Sequence, residues 1–143
     1  MNSFHRPAPD QSALSLLAAI IEFSDDAIIG KDLDGRILTW NLGAERMYGY
    51  TREEIVGQSI ARLIPPGQPD ELAGILARIA LGERVPPYET VRVAKSGQRV
   101  AVSLSVSPIC DVDGRLVGAS AIARDITDRH RLDTALRASE ARW

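Results

Sequence analysis

Three short turns, each containing a glycine, constrain the fold of this 143-residue chain more than any other feature. They are the segments Asp32–Gly35, Lys95–Gln98 and Asp111–Gly114, and each lies between two runs of β-forming residues. Glycine accepts the positive φ that tight hairpin turns require, so each turn predicts a pair of antiparallel strands. The last two hairpins share a strand. The predicted strands are therefore five: Ala27–Lys31, Arg36–Trp40, Tyr88–Ala94, Arg99–Ser107 and Leu116–Arg124.

The residues between the second and third predicted strands carry helix signals. Thr51 and Glu54 stand in the register of a capping box, which predicts a short helix ending at Gly57. Asp70 is predicted to cap a longer helix that runs to Leu81. The helices expected in this block cover residues 41–49, 51–57, 59–64 and 70–81. The order helix–ββ–αααα–βββ–helix indicates an α+β fold, a five-stranded antiparallel sheet with helices over one face.

The N-terminal stretch is predicted to contain a flexible arm over residues 1–11 and a flanking helix over residues 12–23, capped by Ser12. Apolar side chains occupy two faces of this helix at a period of 3.6 residues. A helix that is apolar on two faces must be covered on two sides, and a second copy of the chain is the predicted second cover. The predicted dimer contacts in this helix are Leu14, Leu16, Leu17, Ile20 and Ile21.

The last predicted strand passes into a charged helical stretch with no glycine or proline between them. Little flexible loop fits there, so a core over residues 25–126 is expected to lead directly into a signalling helix over residues 127–143. Asp125, Ile126 and Thr127 are the predicted hinge through which changes in the core reach that helix. Asp125 or Thr127 is expected to cap it.

The exit helix also carries a heptad-like pattern. Leu132, Leu136, Ser139 and Trp143 follow one another at alternating spacings of four and three residues. This spacing is typical of the seam of a parallel coiled coil. Leu132 and Leu136 are therefore predicted to extend the dimer interface.

Charge and cysteine content exclude several partners. A net charge of −2, without any block of Lys or Arg, argues against nucleic-acid binding. Cys110 is the single cysteine, which excludes an internal disulfide and a multi-cysteine metal site. The longest apolar run near the start, Ala13–Ile21, is shorter than the ~20 residues of a membrane span. No direct membrane contact and a cytoplasmic location are therefore expected.

No metal site or catalytic group is expected either. Asp32, Asp34, Asp111 and Asp113 lie in the hairpin turns and lack the closing Glu of a calcium loop, so they are interpreted as turn formers. Serines alternate with apolar residues along the fourth strand, and no Ser or Cys has an identifiable basic partner. The chain itself is expected to be non-catalytic.

In this order and spacing, three segments resemble the PAS family of sensory domains. The segments are Asp32–Asn41, Gly49–Gly57 and Arg124–Arg129. The resemblance implies the PAS fold with an inner cavity, dimerisation through flanking helices, and a place in a larger, most often bacterial, signalling protein. It also implies an output domain in cis. The main hypothesis is a sensor histidine kinase, and the alternative is a diguanylate cyclase or phosphodiesterase.

The resemblance indicates which cofactors to look for. Haem-binding members supply an axial His from the long helix, whereas the histidines here are His5 in the arm and His130 in the exit helix. Flavin photoreceptors of the family place a reactive Cys in an Asn-Cys-Arg motif, where this chain has Gln58–Arg62. Neither haem nor a flavin adduct is therefore expected. A small, mainly apolar ligand remains a candidate, and non-covalent FAD stays open although no residue points to it.

Two interpretations of the apolar interior stay open: the side chains fill a core, or they leave room for that ligand. Alternation is compatible with either face of each strand pointing inward. The candidate cavity residues are Ile60, Leu63, Ile64, Leu72, Ile75, Leu76, Ile79, Val91, Val93, Val102, Leu104 and Ile122, with Ser103, Ser120 or Arg62 as polar contacts.

The family resemblance also implies a salt bridge from Asp125 back to the domain, for which Arg92, Lys95 and Arg99 are the candidate partners. Two functional hypotheses follow. In the first, the chain is a homodimeric sensor that relays a conformational change to its output domain. In the second, it is a ligand-free protein–protein interaction domain that serves dimerisation and spacing.

Overall fold

The computed structural model describes residues 10–141. In chain order their elements are α1 (Gln11–Glu22), β1 (Ala27–Lys31), β2 (Ile37–Trp40), α2 (Leu42–Tyr48), α3 (Arg52–Ile55), a 3₁₀ turn (Ile60–Leu63), α4 (Pro69–Ala80), β3 (Val85–Val93), β4 (Arg99–Cys110), β5 (Leu116–Asp125) and α5 (Thr127–Glu140). None of the helices in this range combines the length and the apolar content that a membrane span needs.

The strands form one antiparallel sheet in the order β2-β1-β5-β4-β3. The N-terminal hairpin joins the three C-terminal strands through β1 and β5, where Ile29 lies opposite Ala121. β3 begins at Val85, earlier than predicted, because an edge strand tolerates prolines at a register shift. The predicted α+β fold, a five-stranded antiparallel sheet with a helix at each end of the chain, is confirmed.

The starts of two helices differ from the prediction. Asp10, rather than Ser12, caps α1, and its carboxylate accepts a hydrogen bond from the Ala13 amide at 2.8 Å. The predicted arm therefore ends before Asp10, and its residues 1–9 lie outside the described residues. α4 begins at Pro69, since the fixed φ of proline suits the first helical position, so Asp70 lies in the first turn and is not the cap.

The burial pattern decides which strand faces point inward. The even-numbered residues of β4 from Val100 to Val106 are buried, and so are the odd-numbered residues of β5 from Ala119 to Ala123. Their neighbours on the opposite face, including Ser103 and Ile122, border a shallow outer depression. The core therefore lies between the inward face of the sheet and the helices that follow β2.

Asn41 connects α1 to the core. Its side-chain amide donates hydrogen bonds to the carbonyl oxygens of Ile21, at 2.8 Å, and Asp26, at 2.9 Å. Its side-chain oxygen accepts from the amides of Ile28 and Ala44, both at 2.9 Å. Asn41 is 3% exposed and is satisfied on both sides. One buried side chain thus joins the end of α1, the start of β1 and the start of α2.

Candidate functional site

A small cavity lies between the sheet and the helices that cover it. Its volume is about 20 Å³, which is room for a species of the size of one water molecule. Its lining residues are Ile29, Lys31, Tyr48, Ile60, Leu63, Ile64, Leu72, Ile75, Arg92, Leu104, Val106, Ala121 and Ala123. The interior of this structure is therefore close to filled.

The structure places six of the predicted cavity residues around this space: Ile60, Leu63, Ile64, Leu72, Ile75 and Leu104. The prediction was wrong for Val91 and Ile122, because strand alternation turns them to the outer face. Val93, Ser103 and Ser120 also occupy outward-facing positions of their strands, and Arg62 is exposed. Three further residues, Leu76, Ile79 and Val102, do not border the cavity; Ile79 and Val102 pack in the core instead.

Three polar side chains that the sequence analysis did not place at the cavity border it. They are Lys31, Tyr48 and Arg92, which are 3%, 1% and 5% exposed. Alternation along β1 could have revealed Lys31, since it shares the inward face with Ala27 and Ile29. The site is therefore more polar and more cationic than the predicted apolar pocket.

Arg92 belongs to an ion-pair network at one side of the cavity. Its Nη2 lies 3.0 Å from Glu71 Oε1, and the hydroxyls of Tyr88 and Thr90 donate to the same oxygen at 2.6 and 2.9 Å. Burial favours neutral Glu71, yet the hydrogen bonds from Arg92 and Tyr88 outweigh it and hold the pKa of the carboxyl below its usual value. Burial and the Glu71 carboxylate raise the pKa of Tyr88 to about 12. The network ties α4 to β3.

Lys31 differs from Arg92 because no carboxylate among residues 10–141 forms an ion pair with it. Its side chain is nonetheless almost fully buried. Burial, together with the positive charge of Arg92, lowers the pKa of the Lys31 ammonium to about 8. A protonated Lys31 therefore destabilises the folded state.

The titration of Lys31 is expected to add about 2 kcal/mol to the free energy of unfolding as the pH rises from 8 to 10. The pKa of Lys31 is about 8 in the folded chain and 10.5 in a solvated lysine. The unfolded chain therefore binds more protons in this interval, and stability rises with pH. The raised pKa values of Tyr48 and Tyr88 oppose this increase near pH 10, where each subtracts about 0.4 kcal/mol, so the contribution of Lys31 is the difference between the wild type and Lys31→Met.

Urea unfolding at the two pH values measures this increase. Lys31→Met should abolish it, whereas Lys95→Met, which alters an exposed lysine, should keep it. A wild-type stability that is flat or falls between pH 8 and 10 would contradict the assignment.

Carboxylates in the hairpin turns bond to backbone amides. Asp32 Oδ1 accepts from the amides of Asp34 and Arg36, both at 2.9 Å, and Asp111 repeats this pattern in the β4–β5 turn. Across residues 10–141, no group of three or more His, Cys, Asp or Glu side chains is arranged to hold a metal ion. The geometry of these turns accounts for their aspartates without a ligand.

The candidate cofactor residues that the structure describes lie away from the cavity. His130 is on α5, with Nε2 at 3.6 Å from Glu89 Oε2, and both side chains are more than half exposed. Cys110 is exposed at the end of β4. His5 lies outside the described residues.

Asp125 does not form the implied salt bridge within residues 10–141. Alternation along β3 turns Arg92 inward, to the carboxylate of α4. Lys95 Nζ lies 2.8 Å from Glu54 Oε2, and Arg99 is exposed and borders the groove beneath α5. The prediction was wrong because two of its candidate cations have other carboxylate partners.

Asp125 instead fixes the start of α5. Its Oδ1 accepts a hydrogen bond from the Thr127 amide at 2.9 Å, while the Thr127 side chain does not cap the helix. Ile126 is the one residue between β5 and α5, is 7% exposed, and donates its amide to the Ala101 carbonyl of β4 at 2.9 Å. We call Asp125–Thr127 the junction. It joins strand and helix through one buried, hydrogen-bonded residue.

The predicted dimer contacts are exposed in the single chain. On α1, Leu14, Leu16, Leu17, Ile20 and Ile21 are between 46% and 63% exposed. On α5, Leu132 and Leu136 are 71% and 59% exposed, and Ser139 is also exposed. Trp143, the last residue of the predicted seam, lies outside the described residues.

Comparison with known proteins identifies the family. The family model described as PAS fold matches residues 21–131, which is most of the chain. This chain belongs to the PAS family. The crystal structure of the PAS domain of a protein from Colwellia psychrerythraea superposes with a TM-score of 0.74 at 30% identity, and covers 80% of this chain and 98% of that one.

Relatives of this PAS domain are signalling proteins. It is 33% identical over 129 residues to the biofilm dispersion protein BdlA of Pseudomonas aeruginosa, which covers 89% of this chain and 29% of BdlA. It is 31% identical over 112 residues to the histidine-protein kinase AtoS of Escherichia coli, covering 77% and 18%. It is 26% identical over 112 residues to the cyclic di-GMP phosphodiesterase PdeB of Shewanella oneidensis, covering 78% and 13%. The chain therefore spans less than a third of each of these proteins, as a PAS sensor module does in a multidomain protein.

Proposed function

We propose that this PAS domain is a homodimeric sensor that relays a conformational change through α5 to an output domain in cis. The junction carries the proposal. Because one buried residue separates β5 from α5, a displacement of the sheet moves the first turn of the helix with it. An input that favours one arrangement of the sheet would then shift the population of helix orientations.

A histidine kinase is the favoured output, because AtoS combines a related domain with that activity. PdeB supports the alternative, a diguanylate cyclase or phosphodiesterase. In either case the chain acts as the regulatory part and the output domain is the enzyme. Since these outputs act on nucleotides or cyclic dinucleotides, a cytoplasmic location in a bacterial cell belongs to the proposal.

The relay is tested in a fusion that joins the chain through α5 to the catalytic core of a PAS-containing histidine kinase. Autophosphorylation is the readout. We expect the activity of the fusion to depend on the contacts at the junction. A fusion whose activity is indifferent to them would overturn the relay.

Exposed apolar side chains support the homodimer. α1 presents leucines and isoleucines on two faces, and Phe23 at its end is 70% exposed. The outer face of the sheet adds Val117 and Ile122, which are 47% and 41% exposed. Apolar surface of this extent is typical of an interface, and a second copy would bury it.

The double variant Leu17→Glu/Ile20→Glu is expected to weaken dimerisation by about 100-fold or more, because two apolar side chains buried between copies are replaced by charges. Sedimentation equilibrium over a concentration series gives the dissociation constant. Val112→Glu is the control, since Val112 is fully exposed in the β4–β5 turn. A double variant that dimerises like the wild type, or a monomeric wild type, would refute the predicted interface.

A second candidate function is a ligand-free interaction domain. The nearly filled interior favours it, since a cavity of about 20 Å³ excludes most metabolites. Native mass spectrometry and an absorption spectrum of the purified chain separate the two functions. A mass increment or a chromophore supports sensing of a ligand, and a clean mass under all conditions supports the interaction domain.

A further inference from the structure

Two cationic side chains border the same cavity. Lys31 is the last residue of β1, Arg92 lies in β3, and both are at least nine-tenths buried. The charge of Arg92 is balanced by Glu71, its ion-pair partner at 3.0 Å. No described carboxylate forms an ion pair with Lys31. The cavity therefore carries one uncompensated positive charge when Lys31 is protonated.

The fold holds the Lys31 side chain in the interior. Lys31 pairs with Ile37 of β2 on one side and with Ala119 of β5 on the other. Gly118 approaches the Lys31 carbonyl oxygen so closely that a Cβ at Gly118 would collide with it. The backbone is thus fixed on both sides, and alternation directs the ammonium inward.

Few polar groups surround the Lys31 ammonium in the cavity wall. Most of the cavity wall is apolar, formed by residues such as Ile29, Leu104 and Val106. Tyr48 supplies the remaining polar group of the lining besides Lys31 and Arg92. Buried charges in proteins are as a rule paired, because an isolated ion loses its hydration without replacement. An anion in the cavity would supply the counter-ion that Lys31 lacks among the described residues.

We propose that this cavity binds a small monovalent anion, of the size of chloride or formate, with Lys31 as its counter-ion and Arg92 and Tyr48 as neighbouring donors. The charge follows from the single uncompensated ammonium. The size follows from the volume of about 20 Å³. Larger dianions, such as sulfate or succinate, match neither the charge nor the space.

Such an anion is an input suited to the proposed relay, and in that role the inference rests on the proposed function. The cavity is lined by residues of β1, β3, β4, β5 and α4. An anion bound there would therefore contact β5, the strand that leads into the junction. Binding itself is independent of the relay and is measured without an output domain.

Thermal unfolding of the 143-residue chain in sodium formate or chloride, against sodium sulfate at equal ionic strength, tests the site. When formate or chloride is at ten times its dissociation constant, we expect the midpoint, measured relative to sulfate, to be about 3–5 °C higher in the wild type than in Lys31→Met. Lys31→Met, which removes the charge and keeps the length, should lose this shift. General salt effects act equally on both proteins, so the difference between them isolates the site.

Lys95→Met is the matched control for loss of a lysine, since Lys95 pairs with Glu54 at the surface, and it should keep the shift. Line broadening of the chloride-35 NMR signal, reversed by formate in the wild type, reports binding directly. If Lys31→Met does not fold, as judged by circular dichroism, Lys31→Gln replaces it.

A wild type with no shift and no broadening would overturn the proposal, and so would a shift retained in both Lys31 variants. Either result would leave the relay intact, because the relay is measured at the junction without ligand. Conversely, the anion could bind while changes at the junction leave the autophosphorylation of the fusion unaltered. That result would refute the relay and leave the anion site standing.

Discussion

Replacement of Glu71 by alanine is expected to lower the free energy of unfolding by about 3–5 kcal/mol. The Glu71 carboxylate accepts hydrogen bonds from Arg92, Tyr88 and Thr90, and it is the carboxylate that pairs with the Arg92 guanidinium. Arg92 is 5% exposed, so its charge would be left buried without a counter-ion. The same change would release α4 from β3 and weaken the wall of the cavity.

Urea unfolding at pH 7 measures the loss. The double variant Glu71→Leu/Arg92→Met should recover most of the stability, because it removes both charges and leaves none unpaired. Glu83→Ala is the control, since its pair with Arg78 is half exposed and its loss should cost less than about 1 kcal/mol. If Glu71→Ala costs no more than Glu83→Ala, the buried network does not stabilise the domain as described.

Asp125→Ala is expected to change the autophosphorylation of the kinase fusion by at least ~5-fold, the lower end of typical coupling free energies of ~1–3 kcal/mol. The substitution removes the acceptor of the Thr127 amide and leaves that first-turn amide without its side-chain partner. The buried Ile126 and its bond to Ala101 remain, so the core should stay folded. The loss should therefore fall on coupling and spare stability and dimerisation.

Asp128→Ala is the matched control for this variant. It removes the same charge three residues further along, from an exposed side chain in the first turn of α5. We expect it to leave autophosphorylation within about 2-fold of the wild type, since a single exposed charge near a helix terminus contributes little. Equal effects of the two variants would show that the junction has no special part in the output.

The strands and turns were predictable because hairpin turns are encoded locally. The glycines Gly35, Gly97 and Gly114 have positive φ, and the aspartates that start two of the turns accept backbone amides within four residues. The Thr51–Glu54 capping box is likewise a contact across three residues, and it is present. Such features need no knowledge of the rest of the fold.

The site was predicted less well because its contacts are not local. The ion pair between Lys95 and Glu54 joins residues 41 positions apart. Nothing near Asp125 in the sequence shows that Lys95 pairs with Glu54 instead of with Asp125. Ile122 and Leu104 are both apolar residues within strands, and only the assembled sheet shows which of them points inward. Lys31 was missed because a lysine at the end of a short strand is usually solvated.

The orientation of α5 relative to the sheet is the central claim, and one distance distribution tests it most directly. Spin labels at Val112→Cys, in the β4–β5 turn, and Arg137→Cys, on α5, are measured by pulsed electron paramagnetic resonance in a Cys110→Ser background. Dilution with unlabelled chain suppresses signals between copies. We predict a single narrow distance in the wild-type junction and a broadened or displaced one in Asp125→Ala. The same distribution in both proteins would contradict the account, since α5 would then be positioned without the contact that Asp125 makes.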